Sequence, residues 1–368
     1  MKKNSKIILI TFFCTIFNFI GFNCGETGFK PIDSINKIFE FSNLQKNIID
    51  IGNINYNQNI KNNKFIPSGE LLGFVLDLNG ALVVETSFVN TEFGTVKTNN
   101  FNKGDVIKKV NNKIINSNDD LANVIETSEG KDIHAEYDRD QTKLESTITP
   151  VKSTDGSYKI GIWVQDSVKF LGTNTFFNKD THDFYALGHG FFNPCNEKLL
   201  KTKGGEIFPA CCNSIKKSEK GSPGEIIGSL IGTNYIGKVL NNTNNGIHGK
   251  LNENFVNNID IKNELEIASI DEIKIGKAQV LCTISKDGPR SFDIEITNIN
   301  LNEKDSTKRI SIEVCKELEK NTNGIVQGFS GSPLIQDRKI VGAITHVLVN
   351  DPKKGFASSA HETISTAK

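Results

Sequence analysis

The sequence GFSGSP, residues 328–333, decides which fold the rest of the chain is expected to adopt. Glycines beside a serine let the backbone turn tightly, because glycine tolerates conformations that other residues avoid. Such a turn can point backbone N–H groups at the carbonyl that the serine attacks. We expect Ser330 to be a nucleophile, with the amides of Gly328 and Ser330 as its oxyanion hole. Ser332 is the alternative nucleophile.

A histidine lies between two glycines far upstream, in the sequence GHG at residues 188–190. His189 precedes Ser330 by 141 residues, a separation that suits a double-barrel domain. The histidine also precedes the serine in the chymotrypsin order of catalytic residues. We therefore expect His189 to be the general base. Four other histidines are weaker alternatives: His182, His248, His346 and His361.

The chain from residue 158 to its end is rich in short apolar strands separated by glycine and asparagine clusters. Long amphipathic helices are scarce there, which is typical of an all-β barrel or sandwich. Together with the serine and histidine motifs, this pattern predicts a mainly β protein with a chymotrypsin-like double β-barrel peptidase domain over residues 151–368.

Residues 65–150 form a predicted smaller domain in front of the peptidase. A strand with the pattern G-D-x-I begins at Gly104, a helix is expected to start at the cap Ser117, and a hairpin follows. This order resembles a PDZ domain, which binds extended peptides by strand addition. The resemblance places the peptide-binding loop at Leu72, Gly73 and Phe74.

Composition and the first residues indicate where the protein works. Lysine plus arginine and aspartate plus glutamate both number 43, so the net charge is zero and nucleic acid is not an expected partner. Residues 1–24 carry three lysines before an apolar run, which predicts a signal peptide or signal anchor. Residues 25–64 are expected to be a polar linker. We expect an exported protein, either secreted or membrane-tethered.

Seven cysteines give no metal signature, because Cys195, Cys211 and Cys212 lack C-x-x-C spacing. We interpret the cysteines of the body as small buried residues, with one disulfide at most. No metal and no cofactor is expected.

Several segments resemble the stage IV sporulation protein B family, the PDZ-containing serine peptidases of endospore-forming bacteria. The resemblance covers residues 65–356 and is most specific around the serine. The matching segments are FIPSGE at 65–70, ALGHG at 186–190, KK at 216–217 with GSPGE at 221–225, GIVQGFSGSP at 324–333, THV at 345–347 and VNDP at 349–352.

The resemblance implies a biology that residue spacing does not show. Family members are exported across the inner forespore membrane into the space between the two forespore membranes and cut themselves near the N-terminus. They cleave a membrane-bound regulator and so release the protease that processes pro-sigma-K. The PDZ domain is thought to restrain the peptidase and contact that regulator. The family also links Thr345 to activity.

The chain departs from the family at the third member of the triad. Cys315 occupies the position of the proposed catalytic aspartate, and a thiol cannot orient a histidine as a carboxylate does. On a strand, Glu313 and Glu317 would point to the same face as residue 315, and both are candidates to replace the aspartate. Three more distant acids also stay open: Asp260, Asp271 and Asp293.

The missing aspartate leaves two alternatives to a sporulation endopeptidase. The first is a PDZ-bearing pseudopeptidase that binds the regulator without cutting it. The second is a general envelope PDZ protease with broad cleavage that does not depend on sporulation.

Overall fold

The computed structural model describes residues 9–11, 63–259 and 264–367, so the predicted signal segment and linker lie almost entirely outside the described residues. The strands are β1 Leu9–Thr11, β2 Ile66–Pro67, β3 Leu71–Thr86, β4 Val89–Thr91, β5 Gly94–Val96, β6 Val106–Val110, β7 Lys113–Ile114, β8 Ile133–Arg139, β9 Thr142–Ile148, β10 Val151–Lys152, β11 Tyr158–Lys159, β12 Ile162–Phe177, β13 Asp183–Ala186, β14 Thr202–Lys216, β15 Glu225–Leu230, β16 Gly237–Thr243, β17 Gly246–Leu251, β18 Glu266–Ile267, β19 Gly276–Thr283, β20 Pro289–Ile299, β21 Ile310–Val314, β22 Pro333–Gln336, β23 Lys339–Leu348 and β24 Lys354–Ser359.

Helices are short and few beside these strands. The α-helices are α1 Asn118–Thr127, α2 Glu253–Asn257, α3 Lys316–Thr322 and α4 Ala360–Thr366, and two 3₁₀ turns span Ile270–Glu272 and Ser306–Lys308. Among the described residues, no helix has the length and apolar character needed to span a bilayer.

Barrel one is a closed sheet of six strands in the order β14, β16, β17, β13, β12 and β3. The pairing of β3 with β14 closes it. Its interior contains the stacked rings of Phe74 and Phe170, whose centroids lie 5.1 Å apart, packed with buried aliphatic side chains such as Ile207 and Ile247. Burial of this apolar surface is the main driving force that holds the barrel together.

Barrel two is a second closed sheet of six strands, in the order β23, β22, β19, β20, β21 and β24. The pairing of β23 with β24 closes it. Alternate residues of β20, such as Phe292, Ile294 and Ile296, point into its core, while their neighbours face outward. Two six-stranded barrels confirm the predicted mainly β, double-barrel fold.

The smaller domain is an insertion into barrel one rather than a separate unit before it. β3 and β12 each have 16 residues, and both strands run out of the barrel. Residues 79–166, which we call the insertion, have their own core, with β6, β8, β9 and α1 around Ile107 and Leu121. Helix α1 begins where expected, because the Ser117 side chain accepts a hydrogen bond from the Asp120 N–H. The insertion thus has the strand and helix order predicted for a PDZ domain.

The structure corrects the position predicted for the peptide-binding loop. Leu72, Gly73 and Phe74 lie within β3, paired with β12 on one edge and with β14 on the other. Their backbone groups are therefore used in the barrel sheet, and all three residues are buried. For the same reason, the N-terminal boundary of the PDZ-like part, predicted at residue 65, lies near residue 79. Residues 65–78 belong with the barrels.

A buried ion pair makes the insertion sensitive to one substitution. Asp105 is almost fully buried and accepts two 2.8 Å hydrogen bonds from the Arg139 guanidinium. Asp105→Ala removes this partner and leaves Arg139 half-enclosed and unpaired, so we expect a loss of about 3 kcal/mol of unfolding free energy. Urea denaturation followed by circular dichroism measures it.

The matched control is the exposed pair Lys274–Asp337, whose side chains are about 70 % accessible. Lys274→Ala, which removes the pair without changing the left-handed residue Asp337, should change the unfolding free energy by less than about 1 kcal/mol. Equal effects of the two substitutions would show that burial of Asp105 contributes nothing.

Candidate active site

The predicted base lies just after β13, on the side of barrel one that faces barrel two. Leu187 and Gly188 both have left-handed backbone conformations, with φ near +70°. A Cβ on Gly188 would lie 3.0 Å from the side chains of Ala343 and Ser358 in barrel two. The glycine before His189 is therefore required by the close packing of the two barrels, and the turn directs His189 to their interface.

The predicted nucleophile lies on a loop of barrel two that precedes β22. Gly328 and Gly331 have φ values of +100° and +95°, which a residue with a side chain rarely adopts. Thr173 of barrel one holds this loop in place. Its hydroxyl donates to the Gly328 carbonyl at 2.7 Å, and its N–H donates to the Ser330 carbonyl at 3.1 Å.

The two predicted catalytic side chains are in direct contact. Nε2 of His189 lies 2.9 Å from Oγ of Ser330, and Nδ1 lies 2.8 Å from the Gly190 carbonyl oxygen. A carbonyl only accepts, so Nδ1 must carry the proton in the neutral imidazole. Nε2 is then left with a lone pair and accepts the hydrogen bond from the serine hydroxyl. This tautomer is the one that a general base requires.

Burial keeps His189 in its neutral form. The side chain is almost completely enclosed, and this desolvation lowers the pKa of His189 below its ordinary value. The hydrogen bond to the Gly190 carbonyl and the charge of Asp305 act in the opposite direction. At neutral pH the imidazole is therefore unprotonated and able to take a proton.

The two backbone amides predicted to form the oxyanion hole have no backbone acceptor among the described residues. Phe329, Gly331 and Ser332 each donate their N–H to a backbone carbonyl. Within the described part of the chain, the N–H groups of Gly328 and Ser330 have no such acceptor. Two unpaired donors on either side of Phe329 are available to a developing negative charge.

Thr345 takes part in the site through its backbone. Its carbonyl oxygen lies 3.2 Å from the Ser330 hydroxyl, while its own hydroxyl donates to the Thr307 carbonyl at 2.6 Å. The serine hydroxyl thus has two alternative acceptors, the Thr345 carbonyl and Nε2 of His189. The Thr345 side chain anchors β23 to the turn Ser306–Lys308 and does not reach the reacting atoms.

The structure places the three candidates for the third triad member elsewhere. Cys315 caps the N-terminus of α3, next to Asp293, and Glu317 pairs with Arg290 at 3.0 Å. Glu313 lies on β21. Within the described residues none of the three contacts His189, whose Nδ1 is bonded to a backbone carbonyl instead. The expectation that one of them orients the base is wrong for this conformation.

Two further groups lie near the base: sequence reasoning missed Asp305 and predicted His346 only as an alternative base. Asp305 caps the turn Ser306–Lys308, and its charge acts on His189. His346 lies beside the base, with ring centroids 5.5 Å apart. Burial, together with the neighbouring His189, lowers the pKa of His346 to about 3. The residues around Asp305 have no sequence pattern that marks them as part of a catalytic site.

The other predicted alternatives lie outside this cluster. His248 contacts Asp183 at 3.1 Å, His182 is in the turn before β13, and His361 is on α4. Asp260 lies outside the described residues. The cysteines from Cys195 onward are all unpaired thiols, and the described residues contain no cluster suited to a metal ion.

Comparison with known proteins identifies the family of the chain. Residues 156–364 match the model of the SpoIVB peptidase S55 family. Among curated proteins, no sequence matches the chain. Among solved structures, the PDZ domain of an SdrC-like protein from Listeria monocytogenes is similar at 15% identity. The match covers 23% of this chain and 87% of that one, with a TM-score of 0.19.

The matched segment includes the whole of barrel two, most of barrel one, and both His189 and Ser330. It spans more than half of the chain. The chain belongs to the SpoIVB peptidase S55 family of sporulation serine peptidases.

Proposed function

We propose that the chain is an active serine endopeptidase that cleaves protein substrates with Ser330 as nucleophile and His189 as base. The observation that carries this proposal is the 2.9 Å contact between Nε2 of His189 and Oγ of Ser330, made by the productive tautomer. The unpaired amides of Gly328 and Ser330 support it, because they provide the second element that acyl transfer requires.

The reaction begins when His189 accepts the Ser330 proton through Nε2, as the serine oxygen attacks the peptide carbonyl. The carbonyl oxygen becomes an oxyanion and receives hydrogen bonds from the Gly328 and Ser330 amides. His189 then gives its proton to the leaving amine, and an acyl-enzyme remains. Water, deprotonated by His189, hydrolyses the acyl-enzyme and regenerates the free serine.

The imidazolium that forms during this reaction is stabilised without a bonded carboxylate. The Gly190 carbonyl holds Nδ1–H, and the Asp305 charge acts through space. In serine peptidases with a triad, loss of the aspartate function lowers the rate by about 10⁴. We therefore expect turnover that is slow compared with a triad enzyme.

Family membership supports a place for this activity in sporulation. In this proposal the protein is exported into the space between the forespore membranes, where its N-terminal segment associates with the inner forespore membrane. It cuts itself near the N-terminus, and it cleaves a membrane-bound regulator of the protease that processes pro-sigma-K.

The insertion offers a strand edge for a protein partner. The segment 162–165 of β12 pairs with β3 on one edge. Next to this segment, the Asp166 carboxylate accepts a hydrogen bond from the first N–H of α1. Trp163, within this segment, is 66% exposed. We propose that an extended segment of the regulator binds between β12 and α1 by strand addition.

One observation favours the alternative of a binding protein without peptidase activity. Nδ1 of His189 is bonded to a backbone carbonyl, and Cys315 stands where the family has its proposed aspartate. A protein with this site could bind the regulator and leave it intact. Cleavage by the wild type that is lost on removal of the Ser330 hydroxyl supports the peptidase, whereas absence of cleavage by the wild type favours the binding protein.

Ser330→Ala should abolish cleavage, because no other hydroxyl in the loop reaches His189. Gel electrophoresis measures two reactions: self-cleavage of the purified full chain, and cleavage of an added unfolded protein. Ser332→Ala is the matched control, since Ser332 is buried in the same loop and its hydroxyl has no partner among the described residues. If wild type and both variants remain full-length and inert, the binding function is correct.

The peptidase should still cleave its substrate at pH values where an exposed histidine would already be protonated. Protonated His189 cannot accept the serine proton, so activity falls as pH drops through the pKa of His189. Burial lowers that pKa, and the acidic limb of kcat/KM should therefore lie below pH 6.5. Asp305→Asn should move the limb lower still, because Asp305 raises the pKa. An acidic limb of kcat/KM above pH 6.5 would contradict a base that is buried and neutral.

Cys315→Asp should not raise the rate of cleavage. The new carboxylate would cap α3 beside Asp293, Glu295 and Glu313, away from His189. Comparison of kcat/KM and its pH dependence between the variant and the wild type tests this. A gain of tenfold or more would mean that β21 and α3 rearrange to bring position 315 to the base.

A further inference from the structure

A cavity of about 310 Å³ lies directly beside the nucleophile loop, between the two barrels. Its walls come from three places: the outer surface of β3 and β12, the hairpin strand β15, and the residues Gln327 and Gly328. Gly328 supplies one of the two oxyanion amides, so a carbonyl held there lies at the edge of the cavity. A peptide in the site would place a neighbouring side chain in this space.

The cavity wall contains an apolar patch, although Lys169, Glu225, Ser229 and Gln327 also line the cavity. Leu171 from β12 and Ile226 from β15 both pack against the core of barrel two. Leu230 closes one side, with a terminal methyl only 2.0 Å from where a Cβ on Gly73 would be. Leu230 is itself about half-exposed, so its side chain can move when another group enters. An apolar side chain gains more from burial here than a charged one, which would lose its hydration.

The neighbouring strand provides a place for the peptide backbone. β15 pairs with β14 along one edge. On its other edge the Ile226 N–H donates to the Gln327 carbonyl at 2.8 Å, and the Gln327 N–H donates to the Gly224 carbonyl at 2.7 Å. The left-handed turn at Gly328 then takes the loop away from β15. In the described chain no strand pairs with that edge beyond Ile226, and an extended peptide can continue the pairing there.

We propose that this cavity is a substrate subsite that selects an apolar side chain next to the scissile bond, in an extended segment bound along the free edge of β15. The proposal rests on the proposed peptidase function. Leu171, Ile226 and Leu230 determine the preference, and Gly73 is the small residue that leaves room for Leu230. The substrate class is therefore an extended protein segment with leucine, isoleucine, valine, methionine or phenylalanine at one fixed position beside the cut.

The first test maps cleavage sites in a mixture of unfolded proteins by mass spectrometry. The wild type should show one position, within two residues of the scissile bond, at which apolar residues are favoured at least about tenfold over charged ones. Leu230→Glu should remove that preference and favour lysine or arginine there, whereas Leu230→Ala should keep it. Ile231→Glu is the control, because Ile231 is exposed on the same hairpin and does not line the cavity.

A second test does not depend on turnover. Ten-residue peptides with a photoreactive benzophenone side chain at one position are irradiated with the Ser330→Ala protein, and the crosslinked residues are identified by mass spectrometry. Crosslinks to Leu230, Ile226 or Leu171 that unlabelled apolar peptides suppress, and acidic peptides do not, support the subsite. Crosslinks confined to other surfaces overturn it.

The two tests separate failure of the subsite from failure of the peptidase. Cleavage with no apolar preference, or with a profile that Leu230→Glu leaves unchanged, overturns the subsite while Ser330 remains a nucleophile. Absence of any cleavage overturns the peptidase function, and the crosslinking result then decides whether the cavity binds apolar peptides.

Discussion

The close contact between the two barrels at Gly331 and Thr173 is the constraint on which the site depends. A Cβ at residue 331 would lie 2.2 Å from the Thr173 carbonyl oxygen and 2.5 Å from the Leu187 amide nitrogen. Only glycine fits, and it allows the serine loop to press against the strand that holds it. Leu187 leads into His189 two residues later. Since nucleophile and base belong to different barrels, their hydrogen bond requires this contact.

Backbone dipoles, rather than charged side chains, provide most of the polar environment of the site. Carbonyls of Gly190 and Thr345 face the catalytic pair. The Asp305 carboxylate, whose charge acts on His189, is bonded to its own turn and paired with Lys308. Fixed dipoles in a dry site act strongly and need little reorganisation during the reaction. A buried imidazolium is nevertheless costly without a paired carboxylate. This arrangement accounts for a base that stays neutral and for the slow turnover that we expect.

Local patterns in the sequence predicted local features of the structure well. The abundance of short strands after residue 158, the cap at Ser117 and the glycine-bounded loops at His189 and Ser330 each depend on neighbouring residues, and the structure contains all three features. The apolar run at Leu72–Phe74 was misassigned, because a buried barrel strand and the start of a PDZ strand have the same local pattern. Only long-range pairing with β12 and β14 distinguishes them. Asp305 was missed because its proximity to His189 is created by the fold and not by spacing in the chain.

The insertion also bears on the order of folding. β3 and β12 pair on both sides of a shift in register, with Leu82 opposite Gln165 inside the insertion and an unbroken run from Asp77 opposite Ser167 to Leu71 opposite Thr173 in barrel one. Without the insertion, these distant strands would have to find each other through a long loop, at a considerable entropic cost. Once residues 79–166 have folded, the two strands emerge side by side and in register. The insertion can therefore act as a template from which barrel one grows, independently of any partner that it binds.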